Sequence, residues 1–272
     1  MNSDICGFCT EHFGIKGFAY TVGGASASGQ VSIIQAVEAV ESGQVDVCIA
    51  VGALMDLSYL ECHAFRSIGA MGSDRYSEEP SKACRPFDRH RDGFIYGESC
   101  GVVVIEKEEH FSPRMRTKPY ASLSGWSIKM DANRNPNPSY EGEASVMKHA
   151  IQHANLSAKD IDYINPHGTA STIGDETEMR AILDNSLSHA YINATKSITG
   201  HVLTAAGAVE IIATILQMQE SKLHPTRNLD HPIEPALNCV RENVIKYPIQ
   251  HTLSMSMGFG GMNTAVCLSR MS

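Results

Sequence analysis

Thr21 to Val37 reads TVGGASASGQVSIIQAV, and its grammar is that of a strand, a tight turn of very small residues, and a helix. Gly17–Val22 (GFAYTV) has strand character. From Gly29 onward Val31, Ile34, Val37 and Val40 recur at helical spacing, with Ser28 placed to cap the helix. Ser26 stands at the top of the turn. A sharp strand-to-helix bend is a favoured place for a nucleophile, so Ser26 is a nucleophile, the relic of one, or a small residue where nothing larger fits.

The same alternation continues outward. Val45–Ala53 (VDVCIAVGA) and Gly101–Glu106 (GVVVIE) are β-branched and nearly all apolar, as strands covered on both faces must be. The long stretch between them, Asp56 to Glu98, is rich in Gly, Ser, Pro and charge, and such stretches shape sites. Past Pro113–Pro119 the theme restarts. YASLSGWSI is strand-like, Glu143–Ala154 helical, IDYINPHG a strand, Thr172–Leu183 helical, YINATK a strand and Leu203–Gln219 a helix. HTLSMSMGFGGMNTAVCLS closes as a hairpin around a glycine-rich turn. The expectation is an α/β fold of two successive halves, 1–115 and 116–272.

Composition removes several function classes. In 272 residues, 43% hydrophobic content can bury a core, and a net charge of −8 argues against nucleic-acid binding. No run of about 18 apolar residues suggests a membrane span, and MNSDICGFCTEHFG lacks the layout of a secretory signal, so a cytoplasmic protein is expected. Among eight cysteines, Cys48, Cys100 and Cys267 sit in apolar runs, and the Cys6/Cys9 pair has no second pair at zinc-like spacing. No metal site is expected.

Two segments place polar groups where strands end. Asn165-Pro166-His167-Gly168-Thr169 closes one strand, and Lys196-Ser197-Ile198-Thr199-Gly200-His201 follows another. Carboxyl ends of strands are where open α/β sheets bind ligands. The order Ser26, Asp175, His201 matches an α/β-hydrolase triad, but G-x-S-x-G requires glycine where Ser28 stands, and that scheme leaves His167 and Lys196 without work.

RPFDRHRDGFIYGESCGVVVIE, INPHGTASTIGDETE, ATKSITGHVLTAAGAVE and SMGFGGMN together resemble the β-ketoacyl synthase (ketosynthase) family. The resemblance implies a thiolase-like, layered αβαβα fold and an acyl-transferring chemistry on groups held by the phosphopantetheine arm of an acyl carrier protein, with no separate cofactor. It implies catalytic roles for His167, His201 and Lys196, with Glu210 pairing the lysine and Asp175 a structural acid. Thr169 and Ser171 would flank the substrate arm, and Phe259 would gate the site and lend its N–H to an oxyanion hole. Arg85, Arg89, Arg91 and Lys107 cluster in sequence and could meet an acidic carrier protein, but a structural or solvated role for several of them is the stronger expectation, Arg85 and Arg91 belonging to the family signature.

Ser26 departs from that pattern, because condensing members carry cysteine there. A thiol of pKa about 8.5 ionises readily beside a helix N-terminus, whereas a serine hydroxyl needs a general base to attack a thioester. Decarboxylation of a malonyl group needs only donors that stabilise the enolate. The chain thus resembles the Cys-to-Ser ketosynthase-like decarboxylases of polyketide β-branching cassettes, which turn malonyl carrier protein into acetyl carrier protein. A non-catalytic, chain-length-factor-like partner and a slow condensing enzyme are the alternatives.

The resemblance also implies that only the C-terminal two-thirds of the fold is present and that the first half is incomplete. With a sheet order of 3-2-1-4-5, the central first strand would be missing, and each orphaned backbone group would cost about 1–3 kcal/mol. The corresponding expectation is a second chain supplying the N-terminal half, and a dimer of such pairs joined through Gly17–Val22.

Overall fold

The computed structural model describes residues 2–108, 118–133 and 137–271. After an N-terminal helix, α1 (Asn2–Phe13), the architecture is organised by two helices that cross in its interior, α2 (Ser28–Glu41) and α7 (Ala206–Glu220). Both are apolar nearly all round, α2 burying Val31, Ile33, Ile34, Val37 and Val40, so each is covered on opposite sides. They approach backbone to backbone. A Cβ on Gly29 would lie 2.6 Å from Ala208 N, and one on Gly207 would lie 2.6 Å from Gln30 N. Only glycine permits that crossing.

A turn of 3-10 helix leads into each, Ala25–Ala27 before α2 and Leu203–Ala205 before α7. Each turn starts on a left-handed residue, Ala25 at φ 47° and Leu203 at φ 49°.

On one side of the helix pair lies a ribbon of β1 (Val47–Gly52) and β2 (Gly101–Glu106). The two strands are antiparallel, in register from Val47 opposite Glu106 to Gly52 opposite Gly101. The loop between them carries α3 (Tyr59–Ser67). On the other side lies a five-stranded sheet in the order β3 (Ser122–Met130), β9 (Met262–Ser269), β8 (His251–Gly258), β4 (Tyr163–Asn165), β5 (Tyr191–Ile192). β8 and β9 form the expected hairpin, turned at Gly260 and Gly261 with φ of 94° and 85°. β4 runs parallel to both β8 and β5.

Alternation divides the sheet's faces. Leu253, Met255, Ala265 and Cys267 pack with α4 (Tyr140–His153) and α5 (Thr172–Asp184), whereas Val266 and Leu268 pack with Ile33, Ile34 and Ile211 of the crossing helices. The short helix α6 (Lys196–Thr199) and the two-residue pair β6 (Lys222–Leu223) and β7 (Ile245–Lys246) complete the elements.

Several expectations are corrected. Gly17–Val22 forms no strand, and the YINATK strand stops at Ile192 because the chain turns into α6. The implied order 3-2-1-4-5 is also wrong. Numbered within the second half, the observed order is 3-2-4-5-1, with the first strand, β3, at the edge beside the last. The final two strands of a half are therefore neighbours, and β1 and β2 pair with each other as β8 and β9 do. Of the backbone groups expected to be orphaned, those on the edge of β1 that faces β2 are paired with that strand, and Gly17–Val22, being no strand, has no ladder to complete. First-half elements α2, β1 and β2 pack on α7 in the same chain. The reading of an incomplete first half, holding only the C-terminal two-thirds of the fold and completed by a second chain, is withdrawn on that ground. The division near residue 115 falls outside the described residues. Among the described residues no helix is long and apolar enough to cross a membrane.

Candidate active site

The turn before α2 is locked from within. Ser28, expected as the helix cap, instead opens the helix and accepts Gly24 N–H at 2.9 Å while donating to Ala25 O at 2.7 Å. Ser256 of β8 donates to Ser26 O at 3.2 Å, fixing the turn to the sheet. The Ser26 hydroxyl is thereby aimed at His201, with Oγ and Nε2 3.0 Å apart.

His167 lies just past β4, and its turn is held by two buried carboxylates of α5. Glu178 accepts His167 N–H at 2.6 Å and Gly168 N–H at 2.8 Å. Asp175 accepts Phe87 N–H at 2.7 Å and the N–H groups of Thr169 and Ala170 at 3.1 Å each, with Arg91 Nε 3.8 Å away. Burial is the larger influence on both, raising Asp175 to about 6 and Glu178 to about 7 against the lowering effect of these backbone donors.

Lys196, the first residue of α6, is buried with its Nζ 2.5 Å from Glu210 Oε1 of α7. Burial raises Glu210 to about 7, against the opposing pull of that lysine. The same Nζ bonds His167 O and stands 3.3 Å from His167 Nδ1. An ammonium only donates, so His167 Nδ1 accepts and Nε2 carries the ring proton.

His201 is assigned by a different argument. Its Nδ1 is buried with no hydrogen-bond partner. Orphaned buried donors are rarer than orphaned acceptors, so the proton belongs on Nε2, which donates to Ser26 Oγ. Burial first, and Lys196 second, hold both imidazoles well below the usual histidine range. The rings stand edge-to-face with centroids 5.5 Å apart. The site therefore offers two neutral imidazoles, each with an Nε2–H.

Ser26, His167, His201, Thr169, Ser171 and Phe259 line one cavity of about 330 Å³. Thr169 Oγ1 and Ser171 Oγ are bonded at 3.0 Å, and Phe259, half exposed, packs its ring 6.0 Å from that of Phe65. Asp175 also lines the cavity, whereas Lys196 and Glu210 stand behind this wall. The hydrolase triad is not assembled, because Asp175 is engaged by backbone donors and makes no bond to His201. Of the basic cluster, Arg85 and Arg91 are buried, Arg85 against Asp88 and Asp230, Arg91 against Glu176 and the Thr172 carbonyl, so they belong to the scaffold. Arg89 is exposed.

Three carboxyls that line the cavity, Asp131, Glu143 and Glu178, were not singled out in the sequence. Glu178 lies three residues after Asp175, on the same helical face, and that spacing was the available signal. Asp131 and Glu143 carried none.

The model of the β-ketoacyl synthase N-terminal domain matches residues 1–110, and that of the C-terminal domain matches residues 120–230. The chain belongs to the β-ketoacyl synthase family. The first of these matches puts the N-terminal domain on this polypeptide, which removes the second chain from the expected partners. The chain is 65% identical over 268 residues to the polyketide biosynthesis malonyl-ACP decarboxylase PksF of Bacillus subtilis (strain 168), covering 98% of this chain and 64% of that protein. It is 35% identical to the 3-oxoacyl-[acyl-carrier-protein] synthase 2 of Coxiella burnetii, covering 97% of this chain and 64% of that one. It thus spans a little under two thirds of these curated relatives. Among solved structures, a type II polyketide ketosynthase in complex with its acyl-carrier protein superposes with TM-score 0.93 at 28% identity, covering 99% of this chain and 67% of that one. A β-ketoacyl synthase from Burkholderia phymatum STM815 gives 0.91 at 31%, covering 97% and 64%.

Proposed function

We propose that this chain decarboxylates a malonyl group carried as a thioester on the phosphopantetheine arm of an acyl carrier protein, giving the acetyl carrier protein, in polyketide biosynthesis in the cytoplasm. The observation that carries the reading is the Ser26–His201 contact. With its proton on Nε2 and Nδ1 buried unpartnered, His201 donates to the serine and cannot take its proton. Ser26 is then a hydroxyl without a base, where condensation requires a nucleophile. The family likeness and the decarboxylase named for the Bacillus subtilis relative agree with that chemistry.

In this reading the thioester oxygen takes the place of Ser26 Oγ as acceptor, between His201 Nε2–H and His167 Nε2–H. Both imidazoles being neutral, they supply dipoles that strengthen as the carbonyl becomes an enolate oxygen, and one such donor is worth about 10²–10³ in rate. The malonyl carboxylate leaves as CO2, its bonding pair passing into the enolate. Ser26 leaves room for the malonyl group and can donate a hydrogen bond to it. Thr169 and Ser171 bond the amides of the arm, Phe259 closes over it and lends its N–H, and Lys196, paired with Glu210, fixes the His167 tautomer. Asp175 holds the turn.

The test is intact-protein mass spectrometry of malonyl-loaded carrier protein incubated with the chain and with His167→Ala. CO2 loss in the first and none in the second is expected. A carrier that keeps its malonyl group with the folded wild-type chain would sink the proposal.

A further inference from the structure

Decarboxylation is only half of the reaction just proposed. A condensing enzyme ends with the enolate carbon bonded to a second acyl group, but a decarboxylase must give that carbon a proton. The two imidazoles cannot release one cheaply, since each N–H is the donor holding the enolate oxygen. Lys196 is committed to Glu210 and to two atoms of His167.

Glu143 remains. It lies in the first turns of α4, is 2% exposed, and lines the same cavity as Ser26, His167 and His201. Its Oε2 is buried with no hydrogen-bond partner. The groups facing it are Glu178 and Asp175 from α5 and Asp131 at the end of β3, all of them acids. The N-terminal end of α4 favours a carboxylate by about 0.3–1 kcal/mol. Burying an unpaired carboxylate costs several kcal/mol, before repulsion by three neighbouring carboxyls is added. Burial therefore wins and pushes Glu143 well above the usual carboxyl range. Glu178 differs in that both of its oxygens are taken up by the backbone of the His167 turn.

We propose that Glu143 is the acid that protonates the enolate carbon, an inference that rests on the decarboxylase reading above. After CO2 departs, the Glu143 O–H bond breaks and a C–H bond forms at the α-carbon, directly or through one water in the cavity. The enolate's electron pair becomes the new bond, the acetyl thioester results, and the Glu143 carboxylate recovers a proton from solvent. One solvent proton is consumed per CO2 released.

The test uses the full chain with malonyl-loaded carrier protein, and with malonyl-N-acetylcysteamine as a small probe, in equimolar H2O and D2O. Rate and the deuterium content of the acetyl product are read together. Glu143→Gln keeps the shape and neutrality of the acid but has no proton to give. It should slow acetyl formation by about 100-fold, within the range for general acids, and change the deuterium fraction of the product. Glu143→Asp, which keeps an acid, should recover at least part of the rate together with the wild-type fraction. The inference is overturned if Glu143→Gln works at the wild-type rate, or is slower with an unchanged deuterium fraction, the mark of a merely structural group. A wild-type chain that leaves malonyl intact removes the function and the inference together, whereas a wild-type rate in the glutamine variant removes only the inference.

Discussion

Replacing Lys196 by methionine should move the acid limb of the pH–rate profile upward. Lys196 lowers the proton affinity of both cavity imidazoles and is nearest to His167, at 3.3 Å from Nδ1. At an effective dielectric of about 20, a unit charge at that distance disfavours the imidazolium by about 5 kcal/mol. The Glu210 carboxylate lies 2.5 Å from the ammonium. That carboxylate returns part of the penalty, because it favours the imidazolium that the ammonium disfavours. The net effect of Lys196 is to lower the proton affinity of His167, the direction in which the ring is displaced. The sign follows from the role of the rings. An imidazolium would still donate from Nε2, but its charge would hold the malonyl carboxylate that has to leave as neutral CO2, so activity falls as pH drops through the rings' pKa values. Lys196→Met raises those values, and the loss should begin at a correspondingly higher pH. Methionine fills most of the lysine's volume, and without the cation burial favours protonated Glu210, which limits the cost to folding. The assay is the pH dependence of kcat/KM with a malonyl thioester, paired with NMR titration of the ring protons in wild type and variant. An acid limb and ring titrations that do not move would refute the electrostatic account of Lys196, whatever the change in rate.

Two further outcomes follow from the crossing of α2 and α7. Ser26→Cys places a thiol at the N-terminus of α2, 3.0 Å from an imidazole in the serine form. Incubation with acetyl carrier protein should then leave an acetyl group on the variant and none on the wild type, whose eight native cysteines serve as the control. An unlabelled but folded variant would show that the turn cannot support transfer. Gly29→Ala drives a Cβ to 2.6 Å from the Ala208 backbone. Overpacking of this kind costs about 1–3 kcal/mol, partly offset by alanine's better helix propensity. A fall in Tm of roughly 2–6 °C is expected, and an unchanged or higher Tm by calorimetry would contradict the close crossing.

The sequence was most informative where a local rule was tightly constrained. The GGASASG turn admits few conformations, and strands ending in NPHG and preceding KSITGH bring histidines to one end of a sheet whatever the strand order. The order itself escaped, because which strand sits in the middle depends on long-range pairing that no local pattern encodes. That error had consequences. Placing the first strand centrally left Gly17–Val22 and Val45–Ala53 without a shared neighbour, and a second chain was expected to supply one, whereas β1 pairs with β2 of the same chain and Gly17–Val22 is no strand. The apolar Gly17–Val22 segment has strand propensity but no partner edge to join, and propensity alone does not make a strand. Glu143 was invisible for another reason. In sequence it is an ordinary glutamate in the first turns of a helix, a position where acids are common on the surface, and only packing against α5 and the hairpin reveals that it is buried.

The glycine crossing also has a mechanical meaning. Ser26 is carried by the turn that starts α2, and His201 lies two residues before the matching turn that starts α7, three residues before Gly29 and six before Gly207 respectively. The two turns repeat one backbone shape, so Thr204 is the positional twin of Ser26. Because the helices touch backbone to backbone beside these turns, the two anchors share one rigid contact. Displacing the outer ribbon or the five-stranded sheet should therefore tilt hydroxyl and imidazole together rather than pull them apart.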